Sequence, residues 1–145
     1  MIIGILSAIA LPSFLNQANK AKQSEAKQYI GTLNRVQQSY YLEKSKFASN
    51  LTDLANPVPS TTENYAYTFA TAATNVINTG KTDKAALKAY IGMVAISVVT
   101  ASSDATTTAF LCEANTPGTA TPTSPTAPGA GTTDRPACGS GTTPL

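Results

Sequence analysis

The sequence predicts an α+β fold in which a long N-terminal α-helix packs on an antiparallel sheet of three or four strands. Residues 16–46 contain no proline and have Gly31 as their only glycine, which favours one continuous helix. Later segments show the alternation typical of strands, and residues 115–145 are too rich in Thr and Pro to build a core. We therefore divide the chain into a projecting helix half (1–22), a head (23–114) and a C-terminal loop (115–145).

The helix is expected to run from about Ile2 to Phe47, and its first portion is apolar on all sides. No charged side chain occurs before Lys20. A helix of a soluble domain normally keeps a polar face. A membrane span takes about 20 apolar residues, so we interpret residues 1–15 as the second half of a membrane helix whose first half is missing. The side chains expected to face that environment are Ile2, Ile3, Ile5, Leu6, Ile9, Leu11, Phe14 and Leu15.

Pro12 lies inside this helical pattern, and Gly4 lies two turns before it. A proline within a helix removes one backbone hydrogen bond and clashes with the preceding turn, at a cost of about 3 kcal/mol. We therefore expect the stretch from Gly4 to Pro12 to be the weak point of the helix, with a kink near Pro12.

The second portion of the helix is amphipathic. Its apolar residues recur with a period of 3.6 and form one stripe, while Gln28, Arg35 and Lys46 lie on the opposite side. This pattern predicts that the stripe packs on the sheet. The packing residues are expected to be Tyr29, Ile30, Leu33, Val36, Tyr40 and Phe47.

Three strands are predicted, at Tyr65–Ala70, Leu87–Val99 and Thr106–Ala114. The second is apolar on both faces, as a central strand should be. Residues 75–85 are interpreted as a connection with a turn at residues 78–80, and a second turn is expected at residues 102–104. Such short connections predict an antiparallel meander.

Composition argues against an enzyme. The chain has no His, which removes the commonest general base and metal ligand. Its eight carboxylates form no cluster with ligand spacing, and it has no glycine-rich phosphate loop. We expect no catalytic residues, no cofactor, no metal site and no small-molecule substrate. Residues 1–50 carry six basic and two acidic side chains, and residues 51–145 carry four and six. This charge is too weak to argue for nucleic acid.

The two cysteines, Cys112 and Cys138, are separated by 26 positions. Two thiols make a poor zinc site, which requires four ligands. We favour a disulfide bond, with free thiols or a metal as the alternative. A disulfide would place the head outside the cytoplasm.

Two strings carry a resemblance to a known family. Residues 4–27 (GILSAIALPSFLNQANKAKQSEAK) and residues 37–54 (QQSYYLEKSKFASNLTDL) resemble type IV pilins, and most of all the major pilins of cyanobacteria. The resemblance covers about the first 55 residues. Beyond them only the architecture is similar, with a sheet followed by a cysteine pair near the C-terminus.

The resemblance implies the type IV pilin fold with a disulfide-bounded C-terminal loop, and a structural subunit of a helical filament. It also implies a subunit that is held in the inner membrane with its head outside, and is then moved by assembly machinery into an extracellular fibre for motility, adhesion or DNA uptake. The family's N-terminal leader and start are missing before Gly4, so we expect the leader and further mature residues upstream of Met1, and the processing site is assigned to no residue here.

Two alternatives stay open. A pseudopilin of a type II secretion system shares the helix, and a binding module, either a tethered adhesin or a DNA-binding minor pilin, is the other alternative. Lys20, Lys22 and Lys27 are interpreted as a solvated collar, with contacts to DNA or anionic lipid as the alternative. The segment Thr121–Thr126 (TPTSPT) is typical of an O-glycosylated surface, and an unmodified solvated loop is the other interpretation.

Overall fold

The computed structural model of this chain describes residues 2–99, 104–127 and 136–145, and it describes side chains from Ser13 onwards except at positions 98, 99 and 104. Within these residues, one helix is followed by five strands. The helix is α1 (Ile2–Lys44), and the strands are β1 (Ala66–Thr71), β2 (Asn75–Lys81), β3 (Tyr90–Val99), β4 (Asp104–Ala114) and β5 (Thr142–Pro144).

The strands form one sheet in which every neighbouring pair is antiparallel and the spatial order follows the chain. The predicted meander with its central strand β3 is therefore confirmed. The predicted count of three or four strands is too low, because β2 and β5 were missed. Of the second turn predicted at residues 102–104, residues 102 and 103 lie outside the described residues, and Asp104 begins β4.

Strand β2 replaces the turn that was predicted at residues 78–80. Its burial alternates, with Val76, Asn78 and Gly80 buried on the face towards α1. Asn78 is accommodated there because its Nδ2 donates to Asn34 Oδ1 at 2.7 Å. The true turn between β1 and β2 lies before Asn75, where Ala72 N donates to the Asn75 carbonyl at 2.8 Å.

Helix α1 ends three residues earlier than predicted. Ser45 has a φ of 54°, a left-handed conformation that stops an α-helix, and its N–H still donates to the Tyr41 carbonyl at 2.8 Å. The chain then turns back, so that Phe47 is buried and its ring lies 4.8 Å from that of Tyr41. The helix assignment is unbroken through Pro12, and the kink there stays a prediction.

The head is built by α1 packing on one face of the sheet. Ala26, Ile30 and Leu33 have no exposed surface and lie in one cluster with buried residues of β1 and β3, including Tyr67 and Tyr90. Three amide side chains in this part of the helix form hydrogen bonds to the rest of the head. Asn34 Nδ2 donates to the Phe110 carbonyl at 3.0 Å, Gln38 Nε2 donates to the Thr107 carbonyl at 3.1 Å, and Gln37 exchanges hydrogen bonds with both backbone groups of Ala48 at 3.0 and 3.3 Å.

The other face of the sheet is covered as well. Ile91 and Met93 are buried although they alternate with Gly92, which faces α1. Cys112 lies directly opposite Ile91 in the register and so shares its face. Because Cys112 is bonded to Cys138, the described residues next to Cys138 lie on this side, and the buried side chains of β3 on both faces show that this strand is central to the core.

Candidate functional site: an exposed apolar helix end and its polar collar

The candidate site is the part of α1 that extends beyond the head. Residues 13–17 are all exposed, with 71% of Phe14 and 59% of Leu15 accessible to solvent. The helix continues from there back to Ile2. From Ile2 to Lys22 it measures about 30 Å at 1.5 Å per residue.

Exposure of these side chains is costly in water. Burying a Leu or Phe is worth about 1.5–3 kcal/mol relative to leaving it exposed. The structure describes the helical backbone before Ser13 but neither the side chains there nor the surroundings of Gly4. The predicted residues in this stretch are Ile2, Ile3, Ile5, Leu6, Ile9, Leu11 and Pro12. The sequence around them is apolar, so the described Phe14 and Leu15 are the visible end of a longer apolar segment.

A polar cluster holds the helix to the head about two to three turns beyond Leu15. We call it the collar cluster, and it consists of Gln23, Lys27, Lys88, Tyr90 and Glu113. The Glu113 carboxylate lies 3.1 Å from Lys27 Nζ and 2.7 Å from Lys88 Nζ. Lys27 belongs to α1, Lys88 precedes β3 and Glu113 lies in β4, so one carboxylate ties three parts of the head together.

The phenol of Tyr90 completes the collar cluster. Its oxygen lies 3.0 Å from Glu113 Oε2 and 3.1 Å from Gln23 Oε1. The hydroxyl has one proton, and a carboxylate is the stronger acceptor, so we assign that proton to Glu113. The Lys27 ammonium also lies 5.5 Å from the centre of the Tyr90 ring, within the range of a cation–π contact.

Burial and hydrogen bonding shift the ionisation of this cluster. Burial by itself would raise the pKa of the Glu113 carboxyl, but hydrogen bonds from Lys88, Lys27 and Tyr90 outweigh burial and hold the pKa below its usual value. Burial, together with the hydrogen bond to Glu113, raises the pKa of Tyr90. At neutral pH the carboxylate is therefore charged and the phenol keeps its proton.

The collar cluster borders an open cleft of about 670 Å³. Lys20, Lys27, Lys88 and Glu113 line it, together with amide and hydroxyl side chains of α1. Of the three lysines that line the cleft, Lys27 and Lys88 are paired with Glu113, and Lys20 is exposed. Lys22, on the same helix, is exposed as well. The interpretation of Lys20, Lys22 and Lys27 as a solvated collar, and the alternative of contacts to DNA or anionic lipid, stay predictions.

The disulfide bond between Cys112 and Cys138 is present, with a Cα–Cα distance of 5.9 Å. The predicted pairing is confirmed, and the alternatives of free thiols or a metal are wrong for these cysteines. Among the described residues, no group of three or more His, Cys, Asp or Glu is placed to hold a metal ion.

The residues predicted to pack against the sheet occupy three kinds of position. Ile30 and Leu33 are fully buried, Phe47 is buried beyond the end of the helix, and the remaining ones are partly buried against the main cluster, namely Tyr29, Val36 and Tyr40. Sequence reasoning missed Asn34 and Gln37. Their positions in the sequence could have indicated that they pack on the head, because each lies in the apolar stripe, one or two turns after Ile30.

Within the described part of the chain, no helix has both the length and the apolar character needed to cross a membrane.

Comparisons with known proteins give two similarities. Residues 23–139 match the family described as type IV pilin-like G and H. Over 75 residues, the chain is 39% identical to the type IV major pilin protein PilA of Myxococcus xanthus (strain DK1622). The matched segment makes up 50% of this chain and 32% of that protein. The chain therefore spans about a third of the length of this relative. No solved structure matches the chain.

Proposed function

The chain belongs to the type IV pilin-like G and H family, and from this we propose that it is a structural subunit that polymerises into a type IV pilus. The observation that carries the proposal is the exposed apolar end of α1. Phe14 and Leu15 lie on a helix that continues as helix to Ile2, beyond the residues that the head buries.

The mechanism follows from the cost of that exposure. In a membrane, lipid surrounds the apolar helix and removes the cost. In a fibre, the same segments of neighbouring copies pack together in the centre. When one contact is repeated by a rotation that does not close, the product is a helical filament. The helix would thus serve first as an inner-membrane anchor and then as the core of the fibre.

The division of the chain fits these two tasks. Residues 1–22 would form the membrane or filament part, residues 23–114 the head, and residues 115–145 the C-terminal loop on the outside. The disulfide bond supports a head outside the cytoplasm, because such bonds persist in oxidising compartments. Assembly machinery would add and remove subunits at the base of the fibre, which would serve motility, adhesion or DNA uptake.

The test is whether fibres depend on the apolar helix end. Leu15→Asn would be produced in the source cells after deletion of their own copy of this protein, and fibres would be sheared off and quantified. The matched control is Leu42→Asn, since Leu42 lies on the same helix and 78% of it is exposed. Losing the burial of one leucine costs about 1.5–3 kcal/mol for each subunit, which corresponds to tenfold or more in an association constant.

We expect the Leu15→Asn chain to remain in the cells and to be depleted at least tenfold from the sheared fibres, with Leu42→Asn close to wild type. Equal fibre yields from the two variants would contradict the proposal. So would an absence of the wild-type chain from the fibre fraction.

A further inference from the structure

One end of the sheet lies where α1 leaves the head, and we call it the head base. Strands β1 and β3 begin there, and β2 and β4 end there, because each strand is antiparallel to its neighbour. The helix reaches the head base at Lys27, whose Nζ lies 3.1 Å from the carboxylate of Glu113 near the end of β4. The exposed helix end with Phe14 and Leu15 therefore extends away from the head base.

The head base and the adjoining turns of the helix carry an excess of positive charge. Four carboxylates lie in this part of the chain, those of Glu25, Glu63, Asp83 and Glu113. Six of the ten basic side chains lie there as well, namely Lys20, Lys22, Lys27, Lys81, Lys84 and Lys88. Three of these lysines are paired with carboxylates at 2.7 to 3.4 Å. Within the described part of the chain, no carboxylate pairs with Lys20 or Lys22, and both are exposed.

We call Lys20 and Lys22 the stem lysines, and their spacing from Leu15 matches the polar layer of a bilayer. Along the axis of α1 they lie about 7.5 and 10.5 Å beyond Leu15, at 1.5 Å per residue. The polar layer extends about 5–8 Å from the hydrocarbon on each side. Because the side chains of an α-helix tilt towards its N-terminus, both stem lysines lean towards Leu15. When Leu15 lies at the edge of the hydrocarbon, both ammonium groups therefore reach the phosphates.

The stem lysines lie on nearly opposite sides of α1, since residues two positions apart diverge by about 200°. Lys20 faces the cleft of about 670 Å³ beside the collar cluster, and Lys22 lies on the far side. Lipids surround a membrane helix from all sides, whereas duplex DNA or a folded protein contacts one side of it. Two exposed cations at similar depth on opposite sides therefore favour lipid as the partner.

The cleft provides further groups that can bind a headgroup on the side of Lys20. Its volume is within the range of about 300–1,000 Å³ that is typical of small-molecule sites. The amides of Asn16 and Asn19 line it and can donate hydrogen bonds to phosphate oxygens. Glu113 lines it as well, but its charge is balanced by two lysines of the collar cluster. A lipid phosphate in this cleft would therefore meet a cation and neutral donors.

We propose that the stem lysines bind the phosphate groups of anionic lipids and so set the depth at which the subunit lies in its membrane before assembly. The proposal rests on the proposed function, because it requires that the apolar helix end enters a membrane. Attraction to an anionic membrane surface strengthens binding about fivefold for each lysine. The pair is therefore expected to contribute about 20–30-fold.

The test uses two kinds of vesicle, made from phosphatidylcholine alone or with part of it replaced by phosphatidylglycerol. The 145-residue chain is diluted from detergent, and its partition coefficient is measured by flotation. Binding to the neutral vesicles reports on the apolar helix end, and the ratio between anionic and neutral vesicles reports on the charges. We expect wild type to bind both and to prefer the anionic vesicles. Added salt should reduce that preference and leave binding to the neutral vesicles unchanged.

The variant Lys20→Gln, Lys22→Gln removes both stem lysines at exposed positions and should therefore fold as wild type does. It should bind anionic vesicles about 20–30-fold more weakly than wild type and bind neutral vesicles equally well. The matched control is Lys44→Gln, Lys46→Gln, which removes the same charge at exposed positions at the other end of α1. Lys44 lies about 33 Å from Lys22 along the helix, several screening lengths away, so the control should bind both vesicles as wild type does.

Three results would overturn the proposal alone. The first is equal binding of wild type to the two kinds of vesicle. The second is an equal loss in both double variants, which would mean that net charge and not position decides. The third is tighter binding to duplex DNA than to anionic vesicles at equal phosphate concentration, lost in Lys20→Gln, Lys22→Gln, which would identify DNA as the partner. Failure of wild type to bind either vesicle would contradict membrane insertion itself, and with it both this proposal and the membrane anchor of the proposed function.

Discussion

Two glycines show how local space decides the effect of one methyl group. Gly92 in β3 faces α1, and a Cβ there would lie 2.7 Å from both Ile30 Cγ2 and Asn34 Oδ1. The Gly92→Ala variant must therefore push the helix away from the sheet. Because such overpacking costs about 1–3 kcal/mol, we expect its free energy of unfolding in urea to fall by that amount.

Gly31 on the helix supplies the control for this prediction. A Cβ at Gly31 would meet nothing within 4 Å, and alanine is favoured over glycine inside a helix by about 0.5–1 kcal/mol. Gly31→Ala should therefore raise the free energy of unfolding. If both variants shifted stability in the same direction, the close approach at Gly92 would not be the cause.

Glu113 predicts a dependence of stability on pH. The folded protein holds the pKa of this carboxyl below its ordinary value of 4.5, so the folded state releases the proton more readily than the unfolded chain. The stabilisation is complete above pH 4.5 and is lost as the pH falls through the folded-state pKa. Glu113→Gln removes it at every pH, and at pH 7 this should cost about 1–3 kcal/mol.

The measurement is urea unfolding of both proteins at pH 7 and at pH 3. The gap between wild type and Glu113→Gln should be wide at pH 7 and narrow at pH 3. Glu63→Gln serves as the control, since Glu63 is exposed, and it should change stability little at either pH. A gap that stays constant with pH would show that the collar cluster contributes no charge-dependent stability.

At the scale of elements, the sequence predicts those whose apolar pattern is regular. The helix has a clean stripe at Ala26, Ile30 and Leu33, and β3 is a continuous apolar run. Strand β2 was missed because two of its inward positions hold Asn78 and Gly80, which read as a turn. Both fit for tertiary reasons, since Asn78 binds Asn34 and the space at Gly80 is taken by Ile30 and Tyr67.

Strand β5 was missed for a different reason. Its three residues have no strand pattern, and their pairing with β4 depends on a contact between residues far apart in the sequence. The candidate site shows the same limit. Phe14 and Leu15 follow from an apolar run, whereas the collar cluster joins Lys27 to Glu113 across the chain, which no local pattern encodes.

The disulfide bond should matter most for the C-terminal element. Closing a loop between residues 26 apart stabilises by about 3 kcal/mol in the chain-entropy model. The Cys112→Ser, Cys138→Ser variant should therefore lose roughly that much stability. In hydrogen exchange, the amides of β5 should lose protection while those of β2 and β3 keep theirs.

Reductant provides the control for the disulfide prediction. Adding it should bring wild type to the behaviour of the double serine variant and should leave that variant unchanged. Protection in β5 that persists after reduction would mean that strand pairing alone holds the C-terminus.

At the scale of the whole molecule, the exposed helix end should determine the association state. A chain that begins at Gln23 keeps the collar cluster and the buried residues of α1 but lacks Phe14 and Leu15. We expect it to be a monomer in sedimentation velocity, whereas the 145-residue chain should associate. Aggregation of the shortened chain would indicate that another surface drives association.

The bond between Cys112 and Cys138 has a consequence for damage by proteases. A protease that cuts one peptide bond between these cysteines would nick the polypeptide without releasing a fragment, because both pieces stay joined through sulfur. Strand β5 and the chain end at Leu145, whose N–H donates to the Leu111 carbonyl at 3.0 Å, would remain attached to β4. A single cut between the two cysteines would thus leave one covalent molecule.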